Sequence, residues 1–220
     1  MRQYSVPCFK DADFPADHAR TQPPSLLPSE SGWASLPAAP IDRYLTVPNE
    51  YRPKAEARLA RDDQALYLRL RVDEKNPLIT WRRHQDPVYQ DSCLEFFVMP
   101  NPGHSARYIN FEFNAVGAVL SAYGEGRQDR TALIAEDLLG LTIHIGILTD
   151  PRPAWQVSCR IPRIILEKYC GLIDWRSGHA MAGNFYKCGD QTAEPHYGCW
   201  NLVAKPDFHR PEDFGRLIFA

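Results

Sequence analysis

The chain has 220 residues, of which 44% are hydrophobic, so it can bury the core of one generous domain or of two small ones. Its 25 Lys and Arg residues nearly balance 27 Asp and Glu residues, which argues against binding to nucleic acid or to an anionic membrane surface. Nineteen prolines, nine of them within residues 1–53, interrupt the chain too often for a helical bundle and exclude an all-α fold.

Residues 1–53 alternate proline, small and acidic residues with isolated large side chains such as Phe9, Phe14, Trp33 and Tyr44. This pattern predicts an extended amino-terminal wrap that lies across a sheet, as part of a single domain formed by residues 1–220. The amino terminus lacks the apolar stretch of a secretory signal, so the sequence is compatible with a protein that stays in the cell and with an exported protein whose signal was removed.

From residue 54 the hydrophobic period changes to two. Leu66, Leu68, Leu70 and Val72 alternate with polar or amphipathic residues, which predicts a strand with one face exposed to water. Two Asp and one Gln at 62–64 form a turn signal between this strand and a preceding partner strand. The same pattern, bounded by turn residues, predicts further strands at 55–60, 92–99, 107–114, 118–123, 141–148, 155–161 and 183–187.

Short strands separated by turn signals are typical of an all-β, antiparallel β-sandwich of jelly-roll or immunoglobulin-like type. One short helix is predicted at 162–169, because Pro162 suits a first helical turn and Gly171 follows its end. Residues 176–214 are rich in Gly, His, Pro and aromatic residues, which predicts long loops, where ligands commonly bind. The residues predicted to be buried between the sheets are Leu68, Phe96, Phe111, Ile145 and Val157.

No window approaches the 18 or so uninterrupted apolar residues of a membrane-spanning helix, so we expect none. The six cysteines are too few to hold a chain of this length together, and we interpret them mainly as free thiols. In an oxidising compartment the predicted pair is Cys188 and Cys199. The other four are Cys8, Cys93, Cys159 and Cys170.

Common catalytic signatures are missing from the sequence. There is no GxSxG elbow, no GxxxxGK[ST] loop and no HExxH helix, and GEG at 124–126 lacks the rest of a GxGxxG motif. Four residues could supply zinc ligands, but their spacing fits no common finger or ribbon, and loop residues that face solvent are the alternative. The four are Cys188, His196, Cys199 and His209.

A glycosidase would need two carboxylates across a sugar. Glu95 and Glu112 both lie on the polar phase of predicted strands and would face one cleft if these strands are neighbours. Cross-strand pairing of such residues with Arg69 or Arg71 is the favoured alternative, because the sequence shows neither the separation nor the pKa tuning that catalysis requires.

The strand at 107–114 has a polar face that is aromatic and rich in amides. Aromatic rings stack on the apolar face of a pyranose, while amides and carboxylates bind its hydroxyl groups. Residues of the right chemical types for sugar binding are Tyr67, Tyr89, Glu95, Tyr108 and Asn110. The alternative is an exposed sheet face that simply carries Tyr and Asn.

Five motifs follow one another along the chain: VYQDSCLEFFVMP at 88–100, RYINFEFNAVG at 107–117, AWQVSCRIP at 154–162, GNFYKCG at 183–189 with HYGCWNLV at 196–203, and DFHRPEDFGRLIF at 207–219. From about Ile41 onward the chain thereby resembles the family 9 carbohydrate-binding modules, and more narrowly the stand-alone family-9-like proteins of bacteria. The resemblance implies a β-sandwich that binds an oligosaccharide or polysaccharide without cleaving it. The alternatives are a glycoside-processing enzyme with paired carboxylates and a sandwich whose cleft has become a protein-interaction surface. It also implies two aromatic rings that clamp a terminal sugar, often with structural calcium.

Residue by residue, the resemblance implies that Glu95 is the strand carboxylate of the site and that Tyr89, six residues earlier, stands where Trp is usual. The second clamp ring falls on Trp200, and the amide that binds sugar hydroxyls falls on Asn110 or Asn184. The calcium ligands of the family match no residues here.

Each assignment has a structural alternative. Tyr89 could be a core residue at a strand end, and Trp200 could fill the core beneath the carboxy-terminal loops. Trp81, a further aromatic candidate, could be an ordinary loop anchor. Because strand alternation points Glu95 away from the core, its alternative is a salt bridge to Arg69 or Arg71.

Overall fold

The computed structural model describes residues 1–10, 13–14 and 26–220. The helices are α1 (Glu30–Ser35), α2 (Ala135–Leu139) and α3 (Arg163–Cys170). The strands are β1 (Gln3–Val6), β2 (Ala39–Ile41), β3 (Arg43–Tyr44), β4 (Ala55–Arg61), β5 (Ala65–Val72), β6 (Cys93–Met99), β7 (Tyr108–Asn114), β8 (Val119–Gly124), β9 (Thr131–Ala132), β10 (Thr142–Leu148), β11 (Ala154–Pro162), β12 (Ala180–Cys188), β13 (Tyr197–Cys199) and β14 (Gly215–Phe219).

Two sheets form the described part of the chain, one of nine strands and one of five. The larger has the order β1–β14–β12–β6–β7–β8–β9, with β13 attached to β12 and β3 attached to β13. The smaller has the order β10–β11–β5–β4–β2. Among the described strands, β1 and β14 form a parallel pair and the other pairs are antiparallel. The predicted all-β sandwich is therefore confirmed, with one parallel pair at an edge.

The predicted strands are present, and their ends differ from the prediction by at most three residues. Helix α3 starts after Pro162, which is the last residue of β11, and ends before Gly171, whose φ of 80° is a conformation that favours glycine. Helices α1 and α2 were not predicted, so the expectation of a single helix was wrong. The strands that were missed have two to five residues, too few for a clear alternation, and are β1, β2, β3, β9, β13 and β14.

The core between the sheets consists of alternate side chains from both of them. Leu68, Phe96, Phe111 and Val157 are fully buried there, and each stabilises the fold by about 1.5–3 kcal/mol. Ile145 is only partly buried, because it belongs to β10 at the edge of the smaller sheet.

The outer face of the smaller sheet is covered, which corrects the prediction that β5 has a water-exposed face. Tyr67 is buried beneath Phe9, with ring centroids 5.6 Å apart, and Arg69 lies 4.6 Å from the ring of Trp33. Glu30 in helix α1 accepts two hydrogen bonds from Arg69, at 2.7 and 2.8 Å. Phe9, Phe14 and helix α1 of the amino-terminal segment thus cover this sheet, whereas β1 and β3 join the larger one.

The outer face of the larger sheet carries both polar side chains and a second hydrophobic cluster. Strand alternation turns one phase of β6, β7 and β12 away from the core, and long loops fold over it. None of the described helices is both long and apolar enough to span a membrane.

Candidate functional site

A cavity of about 630 Å³ opens on the outer face of the larger sheet. Strands β6 and β7 form its floor, and the segments at 45–47 and 206–209 form parts of its wall. Its polar lining residues include Glu95, Asn110, Glu112, Arg127, Arg130, Asp190, Asp207 and His209, and its aromatic lining residues are Tyr89, Phe97, Tyr197 and Phe208. The predicted residues Tyr89, Glu95 and Asn110 therefore lie in one cavity.

Two buried carboxyl groups stand side by side on the floor, because Glu95 and Glu112 are opposite each other in the β6–β7 pair. Burial raises the pKa of Glu95 to about 7. Burial and then the neighbouring Glu95 raise the pKa of Glu112 well above its usual value. Cys188 Sγ donates a hydrogen bond to Glu95 Oε1 at 2.9 Å.

The expected salt bridge between Glu95 and an arginine of β5 is not formed. Arg69 binds Glu30, and Arg71 binds Asp73 at 3.0 Å. Both arginines belong to the smaller sheet, whereas Glu95 faces outward from the larger one. This alternative was therefore wrong.

Both polar atoms of the Asn110 amide form hydrogen bonds with neighbouring side chains. Its Nδ2 donates to Glu112 Oε1 at 2.9 Å, and its Oδ1 accepts a hydrogen bond from Arg130. The Arg130 guanidinium lies 4.1 Å from the ring centroid of Tyr108. Sequence reasoning missed Arg130, which comes from the loop between β8 and β9 and carries no periodic signal.

The rim combines an ion pair with a neutral imidazole. Arg127 and Asp207 form a salt bridge of 2.6 Å across the cavity wall. His209 Nδ1 lies 2.8 Å from the hydroxyl of Tyr108, and burial lowers the pKa of this histidine to about 4, so it is neutral near pH 7.

Tyr89 offers the most exposed aromatic ring of the cavity lining, at 38% exposure. It lies on a short 3-10 turn at 88–90, and the next residue, Asp91, fixes this turn to neighbouring segments. The Asp91 carboxylate accepts hydrogen bonds from the backbone N–H groups of Thr80 and Trp81 at 2.9 and 3.0 Å, and from Asn114 Nδ2 at 2.9 Å. A second ring, Phe208, is half-buried on the opposite loop and stacks on Tyr186 at 4.0 Å.

Trp200 lies in the core, which corrects its assignment as the second clamp ring. The side chain is 3% exposed and packs against Phe185, with ring centroids 5.5 Å apart. A Cβ atom on Gly215 would come within 2.3 Å of the indole, so this glycine provides the space for the ring. Trp200 does not line the cavity and cannot face Tyr89 across it.

Asn184 and Trp81 also lie outside the cavity lining. Asn184 is fully buried, and its amide donates to the Asn201 carbonyl and accepts from the Asn201 N–H, both at 2.8 Å. Its amide therefore holds a loop, whereas Asn110 lies in the cavity lining. Trp81 donates to Gln90 Oε1 at 3.2 Å and acts as an anchor for the turn that carries Tyr89.

The four residues considered as zinc ligands are held apart by separate partners. Cys199 Sγ lies 3.1 Å from the Arg43 carbonyl, His196 Nδ1 lies 2.8 Å from the Glu194 carbonyl, and His209 binds Tyr108. The predicted pairing of Cys188 with Cys199 is also corrected: Cys188 lies opposite Cys93, and all six cysteines are free.

Calcium prefers oxygen ligands. In the part of the chain that the structure describes, one group of converging metal-binding side chains is Cys93, Glu95 and Cys188, and its two sulfur atoms do not fit calcium. Elsewhere a buried carboxylate, Glu74, is already paired with Lys187 at 3.3 Å. This cluster therefore does not suit calcium, and calcium binding stays an untested prediction.

A scan against protein-family models matches residues 27–219 to carbohydrate-binding family 9. The chain belongs to carbohydrate-binding family 9. Among solved structures, a candidate carbohydrate-binding protein from Bacteroides uniformis shares 27% identity over 100% of this chain and 99% of its own, with a TM-score of 0.79.

Two further structures similar to this family 9 chain are those of a family 9 module from Caldicellulosiruptor kristjanssonii. The glucose complex has a TM-score of 0.64 and 16% identity, covering 100% of this chain and 96% of that one. The cellotriose complex has a TM-score of 0.63 and 15% identity, covering 99% and 93%. At these identities the likeness concerns the fold. No curated protein matches the chain.

Proposed function

We propose that this family 9 chain binds an oligosaccharide in the cavity and does not cleave it. The observation that carries the proposal is the combination of a polar floor, made by Glu95, Asn110 and Glu112, with the exposed ring of Tyr89 at the same cavity. A volume of about 630 Å³ lies within the range of small-molecule sites.

Each group has a task that sugar recognition requires. The carboxyl oxygens of Glu95 and Glu112 accept hydrogen bonds from sugar hydroxyls, and the Asn110 amide adds a directional contact. Tyr89 supplies a flat apolar surface on which a pyranose ring stacks. Family membership and the glucose and cellotriose complexes of the Caldicellulosiruptor module support a glucose-containing oligosaccharide as the ligand.

Binding without cleavage is favoured by how the two acids are placed. A glycosidase holds one protonated and one ionised carboxyl group on either side of the bond that breaks. Here Glu95 and Glu112 are direct cross-strand neighbours on a single floor, and the pKa values of both are raised. This arrangement supplies hydrogen bonds to one face of a sugar and lacks the opposed pair.

The test is titration calorimetry of the purified protein with glucose, cellotriose and xylotriose, followed by chromatography of the incubated sugars. We expect saturable binding of at least one oligosaccharide and no shorter products. Absence of binding to all of a broad glycan array would overturn the binding proposal. Turnover that Glu95→Gln abolishes would instead make the chain a glycoside-processing enzyme.

A further inference from the structure

One side of the cavity floor contains two thiols and a carboxylate in close proximity. Ligand atoms of Cys93, Glu95 and Cys188 all lie within 4.8 Å of one another. The sheet creates this arrangement directly. Cys93 of β6 is the register partner of Cys188 in β12, and Glu95 lies two residues further along β6, so strand alternation turns all three side chains to the same face.

The cluster is buried, and the lysine next to it in the chain is paired elsewhere. Cys93, Glu95 and Cys188 are at most 2% exposed. The nearby cation, Lys187, is occupied elsewhere, because its Nζ bonds the Cys188 carbonyl at 2.9 Å and Glu74 at 3.3 Å. The ion pair of Lys187 is thus with Glu74 and not with Glu95.

An orphaned oxygen gives a second, independent observation. Glu112 is 4% exposed and lies beside Glu95, and its Oε2 has no hydrogen-bond partner among the described residues. Leaving a buried carboxyl oxygen unpaired is costly, and native structures seldom do so without an ion, a water molecule or a ligand nearby. The floor therefore has an unused acceptor oxygen beside the three clustered ligand atoms.

We propose that Cys93, Cys188 and Glu95 bind a zinc ion at the floor of the cavity. Two thiolates and one carboxylate form a donor set that suits zinc, whereas calcium and magnesium require oxygen ligands. Two S–H protons leave to solvent as two Zn–S bonds form, so binding weakens as the pH falls. This proposal goes beyond saccharide binding and does not depend on it.

Three protein ligands leave one position of a tetrahedral zinc site open. Glu95 and Cys188 line the cavity, so this position is on the cavity side and is available to water or to an oxygen of a bound molecule. Glu112 lies next to Glu95, and its unpaired Oε2 is a further acceptor beside the site.

The experiment starts with full-length protein purified with a chelator and a phosphine reductant, then freed of chelator. It is titrated with Co²⁺, which gives a thiolate charge-transfer band in the near ultraviolet, and then with Zn²⁺, which removes the band. We expect one equivalent of each ion. X-ray absorption at the zinc edge of the same wild-type sample should show two sulfur neighbours at about 2.3 Å, which requires no variant.

Matched variants locate the ion. Cys93→Ala and Cys188→Ala should abolish the band, and Glu95→Gln should weaken zinc binding at least tenfold. Cys159→Ala is the control, because Cys159 is equally buried but belongs to the smaller sheet, and it should bind as the wild type does.

Three results would overturn the proposal: no sulfur neighbours in the zinc spectrum, a Cys93–Cys188 disulfide in the reduced preparation, or full retention of the band in Cys93→Ala. None of these measurements involves a sugar. Zinc binding without saccharide binding would therefore refute only the proposed function, and the reverse result would refute only the zinc site.

Discussion

Tyr89 is the side chain through which we expect the saccharide to gain most of its stacking energy. Replacing it by alanine removes an aromatic surface worth about 1–3 kcal/mol, which corresponds to an affinity loss of roughly 5- to 150-fold. Because the ring is 38% exposed, the melting temperature should change little. Calorimetry with the best oligosaccharide measures the effect, and Tyr89→Phe, which keeps the ring, should bind nearly as the wild type does.

Trp200 should behave in the opposite way. Trp200→Ala leaves a hole beside Phe185 and should lower the free energy of unfolding by about 3–5 kcal/mol, while affinity per folded molecule stays unchanged. Urea denaturation and calorimetry on the same sample measure the two quantities. A lower saccharide affinity with an unchanged free energy of unfolding would show that Trp200 belongs to the binding site.

Glu95 should make stability depend on pH. Its folded-state pKa of about 7 exceeds the ordinary 4.5, so the folded protein binds the proton more tightly than the unfolded chain does. The contribution of Glu95 to the free energy of unfolding should therefore be highest below pH 4.5 and should fall as the pH rises toward 7. At about 1.4 kcal/mol per pKa unit, the loss is roughly 3 kcal/mol.

Glu95→Gln carries no titrating proton and should flatten this dependence between pH 5 and pH 7.5. The measurement is urea denaturation across that range with a chelator present, so that no metal ion contributes. Equal slopes for wild type and variant would show that Glu95 titrates normally.

At the level of secondary-structure elements, Glu74 links the two sheets just after β5. Its carboxylate accepts hydrogen bonds from Ser92 Oγ at 2.9 Å and from Trp155 Nε1 at 2.8 Å, and it pairs with Lys187 at 3.3 Å. Trp155 belongs to the smaller sheet and Lys187 to the larger one. This carboxylate thus joins β11 to β12 through the interior.

Removing one partner of the Glu74–Lys187 ion pair should strongly lower the free energy of unfolding. Lys187→Met leaves the Glu74 carboxylate buried without its cation and should cost about 3–5 kcal/mol of stability. The double variant Lys187→Met, Glu74→Gln removes both charges and should recover a large part of that loss. Urea denaturation of the single and double variants tests the coupling, and strictly additive losses would contradict it.

At the level of the whole molecule, the cavity and the hydrophobic cluster around Trp33 lie on opposite outer faces of the sandwich. Trp33, 1% exposed, is the centre of the cluster that covers the smaller sheet. Trp33→Ala should therefore lower the free energy of unfolding by about 3–5 kcal/mol without changing the saccharide affinity of the folded protein. An affinity loss in fully folded protein would show that the two faces are coupled.

Much of the fold could be predicted because alternation along a strand is a local property. The period of two in β5, β6 and β7 determined which side chains face the core and which face outward. Alternation also placed Glu95, Glu112 and Asn110 on outward strand phases, and the pairing of β6 with β7 brought them onto one face. Very short strands and helices were missed, since two to six residues carry no clear period.

The tertiary structure alone decided which outward-facing residues meet a cavity and which meet another part of the chain. Asn184 shares the outward face but is covered by the segment around Asn201, and Tyr67 is covered by the amino-terminal segment. Arg130 and Phe208 reach the cavity from loops whose course depends on long-range packing. Strand phase depends on neighbouring residues only, whereas burial depends on which distant segment packs on top, and no local pattern records that.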